Sequence, residues 1–189
     1  MPISIPSLLS RYDVSRQPTL FLDFDGVLHP DPVFMDNRTG KPVLSDEFGT
    51  LFEWVPILDH IMAEYPSVEI VLSTSWAAKL GFEEARRYLP ASLGERIINC
   101  VWRKDEWLVH KVTQRRFEQM SRYLQIRQYV NRHKLSRWLA LDDDDRDWPD
   151  SQRHRLVRTD DMTGLSIDTV QVDLLSKLDQ LTNRLSSST

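Results

Sequence analysis

The sequence predicts an α/β protein built on a parallel sheet with helices on both faces. Short apolar runs alternate along the chain with segments of helical period, the pattern of successive βαβ units. Two of the runs end abruptly in aspartates, Asp23/Asp25 and Asp142/Asp143. Strand interiors have no use for acids, but open α/β sheets bind ligands at the C-terminal ends of their strands. No repeat, low-complexity block or linker divides the 189 residues, so one domain spanning 1–189 is expected.

The first strand covers about Thr19–Asp23. Its centre, Leu20, Phe21 and Leu22, is apolar throughout, as a buried strand requires. Residues 29–50 are polar and rich in turn formers (His29-Pro-Asp-Pro, then Asp36-Asn-Arg-Thr-Gly-Lys-Pro). So long a loop directly after two acids reads as a flap over a site. From Leu51 the period becomes helical, with Val55, Leu58, Ile61, Met62 and Tyr65 on one stripe, until Pro66 ends it. Val68–Leu72 is the second strand, and Ser73-Thr-Ser-Trp76 stands at its tip. Ala77 to Tyr88 predicts a helix closed by Pro90, and Ile97–Val101 a third strand.

Residues 102–110 are irregular and carry Trp102 and Trp107. Residues 112–133 predict one long helix with Phe117, Met120, Tyr123 or Leu124, Ile126 and Val130 buried. Arg137–Leu141 is the fourth strand, Arg155–Arg158 an edge strand, and Val170, Leu174, Leu175, Leu178 and Leu181 mark a final helix.

Composition narrows the function. Hydrophobic residues make up 41% and charged residues 28%, ordinary for a globular protein. A net charge of −4 gives nucleic acid no general attraction to the whole surface. The charge is uneven, however: Lys111, Arg115, Arg116, Arg122, Arg127, Arg132, Lys134 and Arg137 share a segment in which Glu118 is the one acid. No apolar run approaches the roughly 20 residues of a membrane span. The start of the chain lacks the basic and apolar parts of a secretory leader. Cys100 is the single cysteine, which points to a reducing cytoplasm, and its apolar neighbours place it in the core.

The chemistry centres on Asp23-Phe-Asp-Gly-Val-Leu. The i, i+2 spacing puts both carboxylates on one side of an extended backbone. Acids this close need a cation between them or a shared proton. They can gather a hard cation, or divide the work of nucleophile and general acid–base. A surface turn is the bland alternative.

This stretch resembles the first motif of the haloacid dehalogenase-like (HAD) superfamily of phosphotransferases. The family's later motifs have counterparts in order. Val71-Leu-Ser-Thr-Ser-Trp76 supplies a strand-end hydroxyl, Thr74 ahead of Ser73 and Ser75. Arg122, ahead of Lys111, resembles the basic residue. Trp138-Leu-Ala-Leu-Asp-Asp143 resembles the acidic motif. The resemblance implies a three-layer Rossmann-like fold with five strands in the order 5-4-1-2-3. It implies Mg²⁺-dependent hydrolysis of phosphate monoesters through an aspartyl-phosphate, with Asp23 as nucleophile and Asp25 as general acid–base. Thr74 or Ser73 and Arg122 or Lys111 would bind phosphate, and Asp23, Asp25, Asp142 and Asp143 the metal. Asp25 itself favours phosphate chemistry, because HAD dehalogenases generally lack it.

The gaps between motifs leave no room for a full cap domain. The phosphorylated substrate can therefore be large, a nucleic-acid end or a phosphoprotein. Trp102 and Trp107, read as exposed, offer a nucleic-acid strand two stacking surfaces; core tryptophans are the plainer reading. A non-catalytic phosphate-binding module and a metal-dependent nuclease are the rival functions.

Overall fold

The computed structural model describes residues 17–102 and 114–183. Five parallel strands form the main sheet: β1 Thr19–Leu22, β4 Glu69–Leu72, β5 Ile97–Cys100, β6 Trp138–Asp142 and β7 Leu156–Arg158. Between β1 and β4 the chain adds an antiparallel hairpin, β2 Val33–Met35 and β3 Pro42–Leu44. The sheet order is β5-β4-β1-β6-β7. Numbering only these sheet strands along the chain gives 3-2-1-4-5, which is 5-4-1-2-3 from the opposite edge.

Alternation within the strands builds a core on each face. Leu20, Leu22, Ile70, Leu72, Leu139 and Leu141 join one cluster with α1 (Val55–Ala63) and the C-terminal helix. Phe21, Val71, Trp138 and Ala140 join the other with Phe117, Ile126, Tyr129 and Val130. Both faces of β1 are buried, hence its unbroken apolar sequence. The layers are therefore helix, sheet, helix.

Two expectations about the elements need correction. The helix predicted from Ala77 to Tyr88 is two, α2 (Ser75–Leu80) and α3 (Phe82–Arg86), because Gly81 adopts φ +94° and breaks the ladder. A short α4 (Ala91–Gly94) then precedes β5. The long helix predicted over 112–133 is also divided, into α5 (Gln114–Glu118) and α6 (Arg122–His133). Ser121 is extended at ψ 157°, and the Gln125 side-chain amide donates to the carbonyls of Phe117 and Met120 across the corner. Of the two alternatives in the stripe, Tyr123 packs against the core and Leu124 is exposed, and Tyr129 is buried beside them. Trp102 follows the plainer reading of a core tryptophan: it is buried, with its ring 4.9 Å from that of Phe117.

The C-terminal helix, α7, spans Asp168–Thr182. Lys111, Trp107 and any turn before residue 17 lie outside the described residues. Cys100 is a buried core thiol, as read. Among the described residues no helix is long and apolar enough to cross a membrane.

Candidate active site

Register brings the acids together. Leu22 pairs with Leu141 of β6 on one side and Leu72 of β4 on the other. The next residues along the three strands are Asp23, Asp142 and Ser73. The ladder continues one step past β1, from Asp23 N–H to Leu141 O (3.2 Å) and from Ser73 N–H to Leu22 O (2.8 Å). The C-terminal edge of the sheet therefore presents two acids and a hydroxyl side by side.

Asp23, Asp142 and Asp143 each offer a carboxylate oxygen, and these oxygens lie within 4.8 Å of one another. Asp23 and Asp142 are buried. Asp143 reaches the group because Gly26 leaves room. Gly26 sits at φ +67°, and a Cβ there would lie 2.9 Å from Asp143 Cγ. Both the backbone angle and the close approach demand glycine.

Arg122, at the first position of α6, is the cation of the site. Its Nη2 lies 2.6 Å from Asp23 Oδ2 and its Nε 3.0 Å from Asp142 Oδ2. The break between α5 and α6 aims it there. Asp144 secures that helix start by accepting the Arg122 backbone N–H at 3.3 Å, and pairs with Arg146 at 2.8 Å. Asp145 faces Arg153 and Arg158. Asp144 and Asp145 are thus loop acids with partners of their own.

One guanidinium cannot balance three carboxylates in so dry a place, and proton affinities record the deficit. Burial raises Asp23, with the Asp25 charge adding to it while Arg122 and the Phe24 amide oppose. Burial likewise raises Asp142 well above the ordinary carboxylate range. Asp143 is pushed up to about 7, by burial first and then by the Asp23 charge. Burial alone would lower Arg122, but Asp23 and Asp142 hold it above its ordinary value. Asp142 Oδ2 and Arg122 Nε meet as an ion pair at 3.0 Å without hydrogen-bond geometry. Three clustered hard oxygen donors, under-compensated in charge, fit a divalent cation such as Mg²⁺.

Asp25 takes a different direction. Its carboxylate is absent from the group of three. Oδ1 accepts from the Trp76 indole N–H at 2.8 Å and lies 3.2 Å from His29 Nε2. Oδ2 has the Ser75 hydroxyl at 3.5 Å. Neither His29 nor Trp76 stands out as a site residue in the sequence. The one local signal is the i, i+4 spacing of Asp25 and His29; Trp76 arrives from another strand end.

The three hydroxyls after β4 part ways. Thr74 Oγ1 accepts the Trp76 backbone N–H at 3.3 Å and caps α2. Its own O–H remains to donate. Ser73 is fully buried, with no hydrogen bond to its hydroxyl. Ser75 faces Asp25. Beside the site runs a groove of about 290 Å³ that Ser75, Lys79, Met120, Arg122, Gln125 and Arg146 help to line.

Comparison with known proteins adds one finding. The sequence profile of the HAD domain in Swiss Army Knife RNA repair proteins matches residues 19–170, most of the chain and every motif quoted above. No curated protein and no solved structure matches.

Proposed function

Because the chain belongs to the family of HAD domains in Swiss Army Knife RNA repair proteins, and is thus a HAD-type phosphohydrolase, we propose that it removes a terminal phosphate monoester from a nucleic-acid end, with Mg²⁺ as cofactor and Asp23 as nucleophile. The observation that carries the chemistry is the meeting of Asp23, Asp142 and Asp143 within 4.8 Å, tied to one arginine.

An Asp23 oxygen attacks phosphorus in line. The bond from phosphorus to the leaving oxygen breaks with its electron pair, and that oxygen takes a proton from Asp25. Asp25, now ionised, removes a proton from water. The water oxygen attacks phosphorus, the bond to Asp23 breaks, and inorganic phosphate leaves. Arg122 steadies Asp23 and the charge on the transferring group, and the Thr74 hydroxyl donates to a phosphoryl oxygen. Lys111 is the alternative cation and Ser73 the alternative hydroxyl. Asp23, Asp142 and Asp143 would hold Mg²⁺, with the Asp25 backbone carbonyl completing the protein's share. The cation supplies charge neutralisation at the transferring phosphoryl group.

Two features support a large substrate. Among the described residues, the addition between β1 and β4 is the β2–β3 hairpin, far smaller than a cap domain. The groove beside Arg122 carries Lys79 and Arg146, cations suited to neighbouring phosphates. The RNA repair context of the family supports a nucleic-acid end over a phosphoprotein.

A panel of 3′- and 5′-phosphorylated oligoribonucleotides, free nucleotides and sugar phosphates tests this, assayed with Mg²⁺ and with chelator. Mg²⁺-dependent release, faster from an oligonucleotide end than from any small ester, is expected. Cleavage of internal phosphodiesters would identify a nuclease instead. Binding without turnover would identify a non-catalytic module.

A further inference from the structure

The two donors on Asp25 Oδ1 come from an enclosed aromatic box. His29 has no solvent exposure, and its ring packs 4.8 Å from Phe52 and 5.7 Å from Trp76. Trp76 is itself buried and meets Phe24, Phe52 and Tyr88 edge-on. Both side chains are enclosed by these rings. The Trp76 indole N–H can only donate. With the carboxyl proton on Oδ2 or absent, Oδ1 can only accept, so His29 at 3.2 Å from it serves as a second donor through Nε2–H. His29 Nδ1 has no hydrogen bond, so the ring contributes to Asp25 alone.

Saturating one oxygen of a carboxyl group defines the other. Among the described residues the hydrogen-bond partner of Oδ2 is the Ser75 hydroxyl at 3.5 Å, the far limit of a hydrogen bond. We propose that His29 and Trp76 are positioning residues: they clamp Asp25 by Oδ1 and leave Oδ2 as the oxygen that serves the leaving group. The inference rests on the reading of Asp25 as general acid. In the step concerned, the phosphorus–oxygen bond of the ester breaks, its electron pair goes to the leaving oxygen, and the proton on Oδ2 moves to that oxygen to complete the alcohol. A carboxyl group free to rotate would spend most of its time misaligned.

Leaving-group dependence separates such a role from simple support of the fold. A good leaving group departs without a proton, whereas an alkoxide needs one, so a damaged acid step penalises alkyl esters selectively. The experiment measures kcat/KM, which reports phosphoryl transfer to the enzyme, for monoesters running from dinitrophenyl phosphate to an alkyl phosphate. The proteins are wild type, H29F, H29Q, W76F and D25N, each checked for folding by thermal unfolding. H29F and W76F keep a ring in the box but lose the donor, and should fall ~10-fold or more on the alkyl ester and under ~3-fold on the dinitrophenyl ester. H29Q carries an amide N–H in place of Nε2–H and should return to within ~3-fold of wild type on both.

Equal losses across the series in H29F and W76F, or no loss in either, would overturn the proposal. Should H29F fail to fold, W76F decides alone. D25N separates the two levels of the argument. A steep dependence in D25N with flat ring variants sinks the clamp and leaves the acid intact. A flat D25N, or a wild type without turnover, sinks the reading of Asp25 and the clamp with it.

Discussion

Arg122 and Asp23 stand 99 residues apart in the sequence, yet the guanidinium Nη2 and a carboxylate oxygen are 2.6 Å apart. The same guanidinium reaches Asp142 through Nε at 3.0 Å. Arginine's planar fork can face two carboxylates at once; an ammonium is a single point. Arg122→Lys should therefore fold but lose ~100-fold in phosphate release, because Asp23 and Asp142 are no longer held by one rigid group. Arg122→Ala removes the cation that, among the described residues, pairs with both, and should cost roughly 3 kcal/mol or more in the metal-free protein. Urea unfolding with and without Mg²⁺ checks this, with the loss smaller when metal is present. Wild-type stability in Arg122→Ala would contradict it.

Gly26→Ala tests the seat of Asp143. A left-handed φ costs a non-glycine residue about 1–2 kcal/mol, and the new methyl group would lie 2.9 Å from Asp143 Cγ. The carboxylate must move, so Mg²⁺ affinity should fall ~10-fold or more along with the melting temperature. Calorimetric titration with Mg²⁺ reads the first effect and thermal unfolding the second. Unchanged affinity would mean that Asp143 is not a ligand.

The acid cluster also sets a pH dependence for the metal-free protein. Asp143, ordinarily near 3.8, is raised to about 7 in the fold; Asp23 and Asp142 are raised too. A carboxyl raised on folding keeps its proton in the native state at pH values where the unfolded chain has lost it. The native state thus binds more protons between about pH 4 and 7, and stability falls as pH rises through that window. Melting temperatures in chelator should therefore drop from pH 5 to 8. Saturating Mg²⁺ should flatten the profile, and its uptake near pH 6 should release protons. A metal-free profile that rises over the same range would contradict the assignment.

Much of this was legible in the sequence, and the remainder was hidden for physical reasons. Leu20–Leu22 and Leu139–Leu141 read as buried strands because a parallel sheet covers both faces. The aspartates that follow them had to meet, since all parallel strands end on one edge. The corner at Ser121 was not legible: an unbroken helical period runs through it, and what bends the chain is Gln125 reaching back to Phe117 and Met120. The turn at Gly81 was hidden in the same way. Trp102 among charged neighbours left a stacking platform and a core residue both open, with the core the plainer reading; Phe117, fifteen residues on, is the contact that buries it. His29 and Trp76 were invisible as a pair because their common partner, Asp25, lies on another segment from Trp76.

The central claim is that Asp23, within this acid cluster, is the group that attacks phosphorus. The most direct test compares Mg²⁺-dependent phosphate release from an aryl phosphate by wild type and Asp23→Asn, an uncharged side chain of nearly the same shape. Wild type should release phosphate steadily, with none above background in chelator, and Asp23→Asn should release none at any Mg²⁺ concentration. Turnover by Asp23→Asn at the wild-type rate would contradict it.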